Sequence, residues 1–264
     1  MPPAGSLESS PASSVASVEL LFLREEEGRK GGEAEAEEEE DCSELIVVTS
    51  PLLVAGEGSV RVRGDKKRGI AFQLWPAASF LCSHLEAHPG LLQELCPQKD
   101  LSAMRVCELG AGVGLVGLFI AAMGAAETLL TDLPSVIDQL EENIALNPAV
   151  ASKVAAVPLS WGSSDWEAVA AGGCDIVVCA DCVYWEELFE PLKETLINLT
   201  QAGAVVLMAH MSRWKKDMRF FRSCGHKMTV VKLHEEVSRT TDPETKREER
   251  QVLRLYSMSK KEAT

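Results

Sequence analysis

The chain has 264 residues, 46% of them apolar, enough for one large domain or two small ones with a sizeable core. Its formal net charge of −14 argues against a nucleic-acid partner. No run reaches the ~18 apolar residues that a membrane span needs, and "MPPAGSLESSPASSVASV" lacks the basic start and apolar centre of a secretory signal. The charge is unevenly spread: residues 1–44 hold thirteen acids and three bases, a balance of −10, leaving −4 for the rest.

In chain order, residues 1–14 are rich in Pro, Ser and Ala and read as disordered. "SVELLFLR" reads as a strand, and "EEEGRKGGEAEAEEEED" as a solvated acidic loop without apolar periodicity. "ELIVVTS" and "SVRVR" resume strand character, giving an N-terminal β-hairpin region with a long acidic insertion. "WPAASFLCSHLEA" has helical spacing. Strands and helices then alternate: "MRVCEL" strand, helix over 114–124, "ETLLTD" strand, helix over 134–146, "KVAAVPL" and "CDIVVCAD" strands, helix over 185–200, "GAVVLMAH" strand, helix over 214–224. Apolar strands separated by helices predict a parallel sheet covered on both faces. "HKMTVVKLHEEV" and "RQVLRLYSMS" have no helix between them and predict an antiparallel pair at the end of the sheet, for seven strands from residue 104 onward.

The eight cysteines lie mostly in apolar runs and form no regular framework. In a chain of this length they read as reduced thiols of a cytosolic or nuclear protein. Cys179 and Cys182 are spaced CxxC, but no second pair or histidine cluster completes a zinc site, so packed thiols and no metal are expected.

The chemistry concentrates at "ELGAGVGLVG", where the first core strand opens through glycines into a helix. Glycines let a backbone turn sharply and approach a ligand closely. In an open α/β sheet, ligands bind at the carboxyl ends of the strands. Gly112, Gly114 and Gly117 satisfy GxGxxG, with Asp132 at about the spacing of a ribose-binding acid, so a nicotinamide dinucleotide must be weighed. Charge argues the other way. From Val106 to Ser152 there is no Lys or Arg, and Glu108 directly precedes the glycines, where it would face anionic phosphates. It suits a cation instead. S-adenosylmethionine carries a sulfonium and an ammonium group that carboxylates attract, and ribose hydroxyls that Asp132 can accept.

"ELGAGVGLVG" followed by "TDLP" resembles the glycine motif and acidic strand end of the seven-β-strand methyltransferases. With "FQLWPAASFL", "LSWG" and "ADCVYW", the chain resembles methyltransferase family 16, the group containing the lysine methyltransferases of molecular chaperones and of valosin-containing protein. The resemblance covers about residues 45–258. It implies a Rossmann-like α/β fold with a mostly parallel seven-stranded sheet, a C-terminal antiparallel hairpin and an N-terminal β extension. Residues 1–44 would form the extension and 45–264 the methyltransferase domain.

It further implies a cofactor pocket of Trp75, Glu108, Gly110, Gly112, Gly114, Asp132, Trp161 and Ala180, with S-adenosyl-L-methionine as cofactor. "DCVY" fits the family's Asp-x-x-Tyr signature, which puts Asp181 and Tyr184 at the reaction, to orient a lysine amine and stabilise its departing charge. A lysine amine must lose a proton before it attacks, since its ordinary pKa is about 10.4. Asn143 is as well read on a solvated face as in a contact, and His210 as lining the substrate entrance or as a loop residue. The expected protein is a monomer of the cytoplasm, or of cytoplasm and nucleus, acting on a lysine of a protein such as a chaperone or ATPase. A small-molecule or other side-chain methyltransferase, an NAD-dependent oxidoreductase and an inactive adaptor are the alternatives.

Overall fold

The computed structural model describes residues 19–23, 43–55, 58–241 and 248–262. The disordered reading of residues 1–14 and the acidic loop lie outside them. At the N-terminal end, β1 (Glu19–Leu23), β2 (Ser43–Thr49) and β3 (Ser59–Asp65) form a three-stranded antiparallel sheet. Its alternating Ile46, Val48, Val60 and Val62 are buried, the period-2 pattern of a sheet with one wet face.

The main sheet has seven strands. In chain order these are β4 (Arg105–Leu109), β5 (Glu127–Asp132), β6 (Val154–Pro158), β7 (Ile176–Ala180), β8 (Val205–Met211), β9 (Met228–Thr241) and β10 (Glu248–Lys260). Their spatial order is β6-β5-β4-β7-β8-β10-β9. The first five are parallel, and β10 and β9 are antiparallel. The last strand thus slots in beside β8 and leaves β9 on the edge. One face carries α1 (Pro76–Ala87), α3 (Leu115–Met123) and α4 (Ile137–Ala145), and the other α5 (Trp166–Ala171), α6 (Phe189–Gln201) and α7 (Asp217–Cys224). The short α2 (Leu91–Leu95) follows α1.

Local chemistry sets the boundaries that matter for the site. Trp75 precedes Pro76 and is extended, at φ −101° and ψ 146°. A residue before proline is steered out of the helical region, and proline at the first helical position is pre-set for it. Helix α3 is apolar on every side, and nearly all of it is buried between the sheet, α1 and the N-terminal sheet.

The N-terminal sheet is fastened by α4. Asn143, fully buried, accepts from the Arg63 amide at 2.8 Å and donates to the Arg63 and Val113 carbonyls. One turn on, Asn147 accepts from the Arg61 amide at 2.9 Å and donates to its carbonyl. Two side-chain amides at i and i+4 therefore pair with β3 as a neighbouring strand would. Asn143 is a structural clamp and not a solvated residue.

The strand order reverses between β4 and β7. From β4 the chain runs outward through β5 and β6, then returns to the other side of β4. The carboxyl ends of β4 and β7 open a crevice there, the place where open α/β sheets bind ligands.

Candidate active site

The turn after β4 is built from glycines that no other residue could replace without strain. Gly110, Gly112 and Gly114 have φ of +62°, +57° and +79°, in the left-handed region that side chains rarely adopt. At Gly110 a Cβ would also lie 2.8 Å from the ring of Trp161 and 3.1 Å from Cys182 Sγ. Trp161 and Trp75 are both half-buried, and Trp75 donates from Nε1 to the Ile70 carbonyl at 2.8 Å. The thiol of Cys182 donates to the Leu109 carbonyl at 3.2 Å. The CxxC cysteines are thus packed thiols, and no group of three metal-ligating side chains is arranged to hold an ion among the described residues.

Asp132 closes the turn from the side. Its Oδ2 accepts from the Gly112 amide at 2.8 Å and its Oδ1 from Leu133 at 2.7 Å. Burial pushes its carboxyl above the usual range despite both donors. Each oxygen keeps a further lone pair for a ligand.

Glu108 stands directly before the turn and faces inward. Its carboxyl points into the start of α3, where Oε2 accepts from the Gly117 amide at 2.7 Å. It is almost completely buried, and burial lifts its pKa from 4.5 to about 8. It therefore anchors the start of the helix from within the core. Gly117 makes this approach possible: a Cβ there would lie 2.9 Å from Glu108 Oε2 and closer still to Leu130.

Across the crevice, Ala180 ends β7 and is half-buried. Asp181 follows it with φ +63°, the one non-glycine residue with positive φ among those described. Its carboxylate is firmly held by the protein. Arg213 grips it bidentately, donating from one guanidinium nitrogen to Oδ1 at 2.9 Å and from the other to Oδ2 at 2.6 Å. The Met211 amide adds a third donor to Oδ1 at 3.1 Å. Such a fork fixes direction as well as charge, and the same guanidinium lies 5.4 Å from the Trp75 ring. Tyr184 is half-buried, and burial, then the charges of Cys182 and Asp132, push its phenol up to about 12, so it stays a donor.

A second row stands behind Asp181. His210 lies within β8 and is fully buried, so it neither lines an entrance nor sits in a loop. Its Nε2 is 3.3 Å from Asp217 Oδ2 and its Nδ1 3.9 Å from Asp181 Oδ1. Asp217 accepts from the amides of Arg213 and Trp214 at 3.1 and 3.0 Å, pinning the loop that presents Arg213. Burial pushes the Asp217 carboxyl up, but His210 and those two amides outweigh it and hold it below the usual range. Arg213 and Asp217 were not picked out from the sequence. The signal available was their position, just past a strand that ends at the same sheet edge as Asp181.

Comparison with known proteins agrees with this architecture. A family model described as "Lysine methyltransferase" matches residues 56–227. The zebrafish (Danio rerio) protein N-lysine methyltransferase METTL21A is 36% identical over 178 residues, 66% of this chain and 77% of its own. The protein-lysine N-methyltransferase EFM6 of Saccharomyces cerevisiae is 33% identical, covering 62% of this chain and 73% of its own. The mouse EEF1A lysine methyltransferase 3 is 31% identical, over 63% and 67%. A Pyrococcus horikoshii crystal structure, described provisionally as an RNA methyltransferase, superposes with a TM-score of 0.50 at 20% identity, over 75% of this chain and 93% of its own; that shows the fold alone.

Fold and site together define a Rossmann-like methyltransferase. Within that class the chain belongs to the lysine methyltransferase family, and it is an enzyme of that kind.

Proposed function

We propose that this chain binds S-adenosylmethionine in the crevice between β4 and β7 and methylates a lysine side chain of a protein. One observation carries the reading. A left-handed glycine turn bonded to Asp132 lies across the sheet's switch point from a second acid, Asp181, held rigidly in place.

The residues fit that cofactor. The glycine turn lets the Trp161 ring pack directly against the backbone at Gly110, Asp132 has lone pairs left for hydroxyl donors, and Trp75 stands beside Arg213. When bound, the cofactor supplies a methyl group on a sulfonium centre. The residues of the chain do the rest. The amides and glycines of the turn set the backbone shape, and Asp132 accepts from the ribose. Asp181 Oδ2 takes one donor from Arg213 and keeps a lone pair that an amine N–H can fill. Tyr184, protonated, is a further hydrogen-bond donor. No histidine reaches the crevice from this side, since His210 is sealed in the core. Positioning in a site that excludes water therefore supplies most of the rate, with the amine losing its proton as it is desolvated.

A chaperone or ATPase remains the proposed substrate type from the sequence resemblance. The name of the mouse relative adds the elongation factor EEF1A as a candidate. Seven unpaired cysteines among the described residues support a reducing compartment, cytosol or nucleus, and a monomer is proposed there.

Calorimetry with S-adenosylhomocysteine and with NAD tests the cofactor. Binding of the first alone is expected, and binding of NAD alone would reject the assignment. Tritium-labelled cofactor with candidate proteins, followed by acid hydrolysis, should place the label on methyl-lysine. Label on another side chain would move the enzyme to a different methyltransferase class.

A further inference from the structure

Four of the large apolar side chains exposed among the described residues are attached to the candidate site. Trp214 is 61% exposed, Trp185 56%, Leu133 52% and Ile70 40%. Each is tied to a residue of the crevice. Leu133 follows Asp132 and bonds to its carboxylate through its own amide. Trp185 follows Tyr184, with ring centroids 5.3 Å apart. Trp214 follows Arg213, which holds Asp181. The carbonyl of Ile70 accepts from Trp75.

Exposed apolar residues scattered singly need no explanation, but a set gathered round a pocket marks an interaction surface. A small-molecule site would bury such side chains around its ligand. Here they stand outside the crevice. Two of them are tryptophans, the residue type most enriched where binding energy concentrates. The two tryptophan loops are also tied together: Glu186 lies 3.8 Å from Lys216 and 3.5 Å from Arg219.

We infer that Ile70, Leu133, Trp185 and Trp214 form a docking rim for the polypeptide backbone on either side of the target lysine, and that this rim selects a lysine flanked by apolar side chains. The inference rests on the lysine reading of the site. A lysine reaching the crevice leaves its own backbone outside, at the level of these four residues, so the flanking side chains meet the rim. Trp214 joins the site through its backbone amide, which side-chain truncation keeps, whereas the Trp185 ring also packs on Tyr184, so Trp214→Ala is the cleaner of the two variants.

The test uses the full chain with tritium-labelled cofactor and short synthetic peptides carrying one central lysine, flanked by apolar, acidic or basic residues. Wild-type enzyme is expected to methylate the apolar-flanked peptide about tenfold or more faster, through a lower KM. Trp185→Ala and Trp214→Ala should each erase most of that preference while S-adenosylhomocysteine binding stays unchanged. An identical flanking profile in wild type and both variants overturns the rim and leaves the lysine reading standing. Failure to methylate any peptide, with the cofactor product bound normally, overturns both. Sedimentation showing a dimer that the tryptophan variants disperse would assign the rim to a second copy of this chain and overturn the substrate role.

Discussion

The two acids of the crevice stand at the ends of β5 and β7, on either side of β4, and are held in different ways. Asp132 is fixed by backbone: two amides, one from the glycine turn and one from its own successor, occupy one lone pair of each oxygen. Asp181 is fixed by side chains: an arginine fork on both oxygens, with His210 and Asp217 behind it. The first arrangement needs only β4, α3 and β5, one β/α/β unit. The second needs β7, β8 and the loop after β8 to be in place together. In the proposed reading, the cofactor half is therefore built within one β/α/β unit, and the substrate half is a charge network assembled over a longer stretch of chain.

Asp181→Asn separates the halves most sharply. It keeps the size of the side chain but removes the charge that Arg213 grips. Methyl transfer should fall by about 10²- to 10³-fold, the loss typical of a preorganised polar group at a reacting centre. S-adenosylhomocysteine affinity should change little in calorimetry. An equal loss of both would make Asp181 a cofactor ligand and merge the two halves.

Glu108 offers a comparison within the cofactor half, because its acid is buried and not presented. Its folded pKa of about 8 lies above the ordinary 4.5. The folded state thus holds the proton more tightly. Its contribution to stability is fully present below pH 4.5 and lost as pH rises through about 8. Glu108→Gln mimics the protonated form and removes that loss. Relative to wild type, the variant should gain stability between pH 5 and pH 8.5, on the order of a few kcal/mol. Thermal unfolding at the two pH values measures this. A gap independent of pH would mean that the carboxyl is ionised and satisfied in the fold.

Asp132→Ala gives the smallest of the three effects. It should weaken S-adenosylhomocysteine binding by about 1.5–3 kcal/mol, the range for a hydrogen bond to a charged group. Unchanged affinity in a folded variant would leave the turn alone holding the cofactor.

The parallel strands were legible because each is a short apolar run bounded by turn residues. The helices over 76–87 and 115–123 were legible from their length and period. Helices α2 and α5 were not, being five and six residues long, too short for a period to show. The edge position of β9 was also hidden, because two strand-like runs predict a hairpin without saying which arm joins the sheet.

Within the fold, the sequence by itself located the glycine turn after β4 and the acids Asp132 and Asp181 at the strand ends. Glycine torsions and strand-end acids are properties of a few consecutive residues, so they survive reading one residue after another. It also named Glu108 but not its direction, since whether a strand-end acid faces solvent or a helix start depends on what packs above it. The tertiary structure alone decided that Asn143 and Asn147 fasten β3, that His210 is buried, and that Arg213 and Asp217 belong to the site. Each of those roles joins residues far apart in the chain, up to 86 positions for Arg61 and Asn147. Hydrogen bonds and ion pairs across such separations leave no period or spacing to read, because the geometry that creates them exists only once the sheet has ordered its strands.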